Sequence, residues 1–308
     1  MRRTRVTTAP WAIRVALLVA LVALVVSPLP AQQAAEVDFS GLWNTFPRNQ
    51  DGGGIVGDAA GVPISQSARW RGDSWSGDDF DVAEWVCRPH SWDYGLEGGL
   101  SRMRVWADVD QATQKMIALR SHANQEEQEI TVWMDGRPHP PANTVHTWSG
   151  FWTGAWENGA LVTTTTHLKE DYIRRMGLYR SDMTTLRTRW RRIGNYLQIT
   201  TIMYDPIYLA EPYLRSSDMF FLDPVMPMDP YPCEEATETA VPRGSYPNFL
   251  PGKSGLPALN PKITDRFGTP YEARLGGPET MYPEYIKKMK TMPKVTATAP
   301  GAAETGAP

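Results

Sequence analysis

Thr185-Leu186-Arg187-Thr188-Arg189-Trp190-Arg191-Arg192, then Gly194-Asn195, then Tyr196-Leu197-Gln198-Ile199-Thr200-Thr201-Ile202-Met203-Tyr204, is the stretch on which the fold turns. Leu186, Thr188 and Trp190 alternate with Arg187, Arg189 and Arg191. Successive side chains of a strand point to opposite faces, so this pattern gives one apolar-leaning face and one basic face. Gly194-Asn195 between two such runs predicts a hairpin. A helical 3.6-residue period is absent there.

The pattern extends towards the N-terminus. In residues 102–107, Met103, Val105 and Ala107 alternate with Arg102, Arg104 and Trp106. Residues 115–120 are the expected partner strand. Ile130, Val132 and Met134 share one face of a strand over 129–135, which runs into the turn Asp135-Gly136. Residues 148–156 and 161–168 flank Glu157-Asn158-Gly159, and Asn-Gly is the strongest short hairpin signal. Short antiparallel strands joined by tight turns predict a mainly β protein, a meander that closes into a barrel or sandwich.

The flanks read differently. Residues 32–100 are rich in Gly, Asp, Ser and Trp, with a short strand expected over 39–43 and a turn cluster at Asp51-Gly52-Gly53-Gly54. Residues 169–176 are expected to make a short helical turn. From 205 onward, Pro206, Pro212, Pro224, Pro227, Pro230 and Pro232 break regular elements, so 205–277 reads as a Pro-rich segment wrapped over the domain. A short helix is expected over 283–290, and 291–308 reads as a disordered tail. The expectation is a single β-rich domain over 32–290 with long Pro-rich loops and few short helices.

The chain has 308 residues, 42% hydrophobic and 21% charged, which fits a globular domain with a sizeable core. A net charge of -3 gives no sign of a nucleic-acid footprint, so no nucleic-acid partner is expected. Arg2, Arg3, Arg5 and Arg14 precede the unbroken apolar run from Val15 to Val26, which Ser27, Pro28 and Pro30 end. That run is shorter than the roughly 20 residues of a membrane span, so 1–31 reads as an export signal. The mature protein is then expected in the periplasm or outside the cell, without stable membrane insertion. In such a compartment the two cysteines, Cys87 and Cys233, are expected to form a disulfide.

Three histidines are candidates for chemistry. His139 sits in the rigid stretch Asp135-Gly136-Arg137-Pro138-His139-Pro140-Pro141, His146 precedes Trp148, and His167 ends a strand just before Glu170 and Asp171. Histidine beside carboxylates is suited to acid–base work near neutral pH. His139, His146, His167, Glu170 and Asp205 are therefore the candidate catalytic residues, beside the plainer reading of local hydrogen bonding. The histidine spacings match no metal signature, and nothing calls for a cofactor. Twelve Trp and twelve Tyr favour an aromatic-lined binding surface, with Trp133, Trp148, Trp152 and Trp156 as candidate ligand contacts. Arg189 and Arg191 read either as a solvated outer face or as contacts to an anion. Gly-x-Ser-x-Gly, a phosphate-binding Gly loop, His-Glu-x-x-His and a dinucleotide fingerprint are all absent from the sequence.

Two resemblances follow. Gly41-Leu42-Trp43 at the start of the first strand resembles the entrance motif of lipocalin, or calycin, barrels. The resemblance implies that Trp43 closes one end of a lipocalin-like barrel beneath an Arg from a late strand, Arg189 or Arg191. Separately, Met134 to Pro141, Trp148-x-Gly150, Thr164-Thr165-Thr166-His167-Leu168-Lys169-Glu170, Asp205-Pro206-x-Tyr208, Tyr231-Pro232-Cys233-Glu234 and Met281-Tyr282-Pro283-Glu284-Tyr285 resemble a group of secreted bacterial proteins of unknown function. That likeness spans about 130–285 and implies export and a compact β-rich body, but no activity.

The leading functional expectation is a barrel that binds a small hydrophobic or aromatic ligand. The others are a small-molecule isomerase, lyase or hydrolase using His and carboxylates, and an accessory subunit of an envelope complex. No feature of the sequence specifies an oligomeric state.

Overall fold

The alternating runs become strands of one closed wall. The computed structural model describes residues 37–45, 60–75, 87–94, 102–124, 127–174, 177–234, 248–256, 259–264 and 268–293. The expected signal (1–31), the turn cluster at 51–54 and most of the expected tail lie outside the described residues. The wall strands are β1 (Gly41–Thr45), β2 (Arg102–Val109), β3 (Met116–Ala123), β4 (Gln128–Trp133), β5 (Phe151–Glu157), β6 (Ala160–Thr166), β9 (Thr185–Ile193), β10 (Tyr196–Tyr204) and β11 (Tyr213–Leu222). They close in the order β1-β11-β10-β9-β6-β5-β4-β3-β2. Between β6 and β9 in the chain, β7 (Asp171–Arg174) and β8 (Leu178–Arg180) form a separate hairpin. The helices are short: α1 (Gln66–Asp73), α2 (Tyr271–Arg274) and α3 (Pro283–Met289), with a 3₁₀ turn over Pro278–Met281.

Turn chemistry explains the two central hairpins. Glu157 pairs with Ala160, and Asn158 and Gly159 between them both have positive φ, 49° and 72°, as a type I′ turn requires. Ile193 pairs with Tyr196, and only Gly194 of the intervening pair has positive φ, 60°, as in a type II′ turn.

Four local expectations are corrected. The strand expected over 39–43 lies two residues later, at Gly41–Thr45. Where a helical turn is expected over 169–176, the described residues hold strand β7 at Asp171–Arg174. The meander is not wholly antiparallel, because β4 and β5 pair in parallel, Val132 opposite Trp152 and Trp133 opposite Thr153. Parallel neighbours need a crossover, so Asp135-Gly136 opens a long connection and not a hairpin. The Pro-rich segment also contains β11, which pairs with β10 on one side and β1 on the other and so completes the barrel. Pro212 and Pro224 bound this strand without interrupting it.

Inside the wall, the alternation buries Met103, Val105, Leu119, Ile130, Val132, Leu161, Leu197, Ile199 and Phe220. Four fully buried Trp residues join them: Trp43, Trp152, Trp190 and Trp92. Trp92 is not on a strand. It enters from segment 87–94, stacks on Trp190 with ring centroids 5.1 Å apart and meets the edge of Trp152 at 5.3 Å. A second core covers one end of the barrel, where Leu186 and Met203 pack with Tyr172 and Tyr179 of the β7–β8 hairpin, Ala68 of α1, and Leu256 and Leu259. Ser65 caps α1 by accepting from the Ala68 N–H.

Cys87 and Cys233 form a disulfide across 146 residues. It ties the segment that delivers Trp92 to the Pro-rich run 223–234. Closing so long a loop is worth up to about 5 kcal/mol by the chain-entropy model. Reduction is therefore expected to lower the melting temperature. An unchanged transition with both thiols alkylated would show that the bridge contributes nothing.

Candidate functional site

The three candidate histidines do come together, but on the outside of β5 and β6. His139 uses both ring nitrogens, Nδ1 on Thr166 Oγ1 at 2.7 Å and Nε2 on Thr153 Oγ1 at 2.8 Å. His167 bonds Thr166 Oγ1 through Nδ1 and the Pro141 carbonyl through Nε2. His146 Nδ1 donates to the Leu168 carbonyl, and its ring meets that of His167 edge-on at 5.3 Å. These contacts pin the β4–β5 crossover to the wall that it must pass. Burial, and then the charge of His167, hold the His139 pKa below its ordinary value. The stability from neutral His139 is thus fully present above about pH 6.5 and is lost as pH falls through the lower folded value. Melting temperature against pH is expected to flatten across this range in His139→Gln; an identical pH profile would remove His139 from the linkage.

The candidate carboxylates are also engaged. Glu170 Oε1 accepts from Arg71 Nε at 3.0 Å, and Oε2 accepts from the Tyr208 hydroxyl at 2.9 Å. Burial and that bond push Tyr208 up to about 12. Asp205 is buried and accepts from Ser181 Oγ, Thr184 Oγ1 and the Ile207 and Tyr208 N–H groups, so it holds two turns together.

The candidate ligand residues do not converge. Trp152 lies in the core and Trp156 stacks on Phe39 with centroids 5.8 Å apart. Trp133 lies under Arg137, and Trp148 under Lys169. Arg189 and Arg191 are exposed on the outer face of β9. The guanidinium above Trp43 belongs to Arg192, 5.3 Å from the ring, and its Nη1 donates to the Asp38 carbonyl.

A buried ionic network escaped the sequence reading. Arg180 is fully buried. It donates through Nε to Asp93 Oδ2 at 2.8 Å and through Nη1 to the Lys169 carbonyl. Asp171 accepts from the Ser91 N–H and hydroxyl and the Tyr172 N–H, and lies 3.2 Å from His90 Nδ1. Burial pushes the Asp171 carboxyl up, but His90 and Arg180 outweigh it and hold it below the usual range. Burial works against charged Arg180 in the same way, and Asp93 and Asp171 more than offset it. The network anchors segment 87–94 to the β7–β8 hairpin. Its members lie in stretches read as irregular (His90, Ser91 and Asp93) or as a helical turn (Asp171), so no periodic pattern joined them to Arg180.

Open space lies elsewhere. On the outside of β1, β2 and β3 a groove of about 610 Å³ is lined by Leu42, Arg104, Trp106 and His122, with Met226 and Met228 of the Pro-rich segment along it. Arg102 Nη1 donates to the Pro227 carbonyl at 3.0 Å and so holds that segment in place. Arg104 lies 5.2 Å from the Trp106 ring, and among the described residues no carboxylate pairs with it. No family model, curated protein or solved structure matches the chain. The groove's own chemistry therefore has to indicate what it takes: apolar and aromatic walls, one uncommitted cation, and one imidazole.

The barrel interior also has polar points. Ser121 Oγ, both amide atoms of Gln128 and Thr165 Oγ1 are buried there without a hydrogen-bond partner among the described residues. Among the described residues no group of three or more His, Cys, Asp or Glu is placed to hold a metal ion. No helix there is long and apolar enough to cross a membrane.

Proposed function

We propose that this protein is an exported barrel that binds one small hydrophobic or aromatic ligand with an anionic group, and that the ligand lies in the groove outside β1–β3. The observation behind this reading is the unpaired Arg104 beside Trp106 and Leu42 in an open groove. Small-molecule sites are typically about 300–1,000 Å³, largely apolar, with a few placed polar groups. Inside the wall the rings of Trp43, Trp92, Trp152 and Trp190 are buried, and this reading uses the outer groove. Export to the periplasm or beyond accords with the disulfide, since such bonds persist in oxidising compartments.

The test is a fluorescence titration with 8-anilino-1-naphthalenesulfonate, an anionic aromatic probe. Saturable binding to folded protein is expected, and Arg104→Ala should weaken it about tenfold, as for loss of one charge-assisted contact. Arg104 is exposed on the outer face of β2, so the variant should keep its melting temperature. Absence of saturable binding would sink the reading.

The polar atoms inside the wall favour a second reading, with the ligand among the rings. In that case Arg104→Ala leaves affinity unchanged and Gln128→Leu weakens it.

A further inference from the structure

The same groove has a second set of donors that an organic anion does not need. Met226 and Met228 flank Pro227 and both line the groove beside His122. Pro227 fixes the local φ, its carbonyl is held by Arg102, and the Met226 N–H donates to the Asp223 carbonyl. The two thioethers are therefore presented by a clamped backbone. Met226 is buried at the groove wall, whereas Met228 is only partly buried.

His122 is oriented as well. Its Nε2 lies 3.0 Å from Glu127 Oε2. Glu127 is itself fixed, because its Oε1 accepts the Tyr231 N–H at 2.8 Å. In the neutral ring a proton on Nε2 directed at Glu127 leaves the Nδ1 lone pair as the donor. A carboxylate that sets the tautomer and orientation of an imidazole is the usual support behind a metal-binding histidine.

From this arrangement we infer that Met226, Met228 and His122 form a site for a soft monovalent metal ion of the copper(I) and silver(I) class, with Trp106 alongside. Thioether sulfur prefers soft ions and imidazole accepts them, whereas hard divalent ions prefer oxygen. Charge points the same way. The donor set is neutral, and the Arg104 guanidinium by Trp106 disfavours a doubly charged ion more than a singly charged one. The inference goes beyond the organic-ligand reading: its donors are Met226, Met228 and His122, whereas that reading rests on Arg104, Trp106 and Leu42.

Silver(I) is the suitable probe, because it needs no reductant and so leaves the disulfide intact. Both cysteines of the chain are in that disulfide, so no thiolate competes for the ion. Titration of the oxidised protein with silver(I), followed by calorimetry and tryptophan fluorescence, is expected to give one tight equivalent that excess zinc(II) does not displace. Met226→Leu/Met228→Leu should weaken binding at least about tenfold, a change of nearly equal volume that cores tolerate. Met183→Leu, which removes an exposed methionine elsewhere, should change nothing. If the double variant folds poorly, His122→Gln and the silver-edge absorption spectrum of the unaltered protein take its place, with sulfur and nitrogen neighbours expected. Undiminished affinity in the groove variants, displacement by zinc(II), or a first shell without sulfur would each overturn the inference. The organic-ligand reading is scored separately by Arg104→Ala.

Discussion

Replacing Arg180 by Met is expected to lower the unfolding free energy by about 3–5 kcal/mol, the usual cost of stranding a buried charge. Arg180 has no solvent access, and its guanidinium is the counter-charge for Asp93 and supports Asp171. Removing it leaves a buried carboxylate without its cation. Arg180→Met/Asp93→Leu is expected to regain much of the loss, because apolar replacements of both partners of a buried pair are often neutral. Denaturant melts of the two variants give the comparison; a loss below about 1 kcal/mol in Arg180→Met would contradict it. Acid acts on the same network. Because the folded Asp171 pKa is held low, its contribution is present above the unfolded value of about 3.9 and disappears as pH falls through the folded one.

Trp43→Ala is expected to cost about 3–5 kcal/mol, as for other large buried aromatics. Trp43 is fully buried between Met103 and Leu222 in the register of β2 and β11. Its Nε1 donates to the Phe39 carbonyl at 2.9 Å, and Arg192 covers its ring. The alanine variant therefore opens a large hole at the point where the wall closes. A loss under about 1 kcal/mol, read from urea melts, would show that the surroundings collapse to fill it.

The wall was largely legible because period-two alternation and turn residues report the same thing. Leu186, Thr188 and Trp190 point inward as their spacing predicts, and Asn158-Gly159 turns as Asn-Gly turns do. The parallel pairing of β4 with β5 was not legible, since strand direction depends on how the connection runs and not on the strand's own residues. Strand β11 was hidden because it occupies the proline-free stretch between Pro212 and Pro224 of a segment otherwise dense in proline. The disulfide could be inferred from cysteine count and compartment. The sites were less visible. His139, His146 and His167 have the composition of a catalytic cluster; in the fold His139 and His167 bond through both ring nitrogens and His146 through Nδ1, which holds the crossover to the wall. The groove draws Arg104, Trp106 and His122 from two strands and Met226 and Met228 from a loop about a hundred positions away. No local pattern links them.

The β1–β11 seam has a consequence for how the molecule is made. Asn44 meets Asp223 there, 179 residues along the chain. A polypeptide produced from its N-terminus has emitted Leu42 and Trp43 long before the strand that shields them exists. The β5–β6 and β9–β10 hairpins need only near neighbours and are expected to form early, whereas closure of the cylinder waits for the slowest encounter. Until then an unpaired edge beside a naked indole is a sticky intermediate, the kind of species that holding chaperones protect.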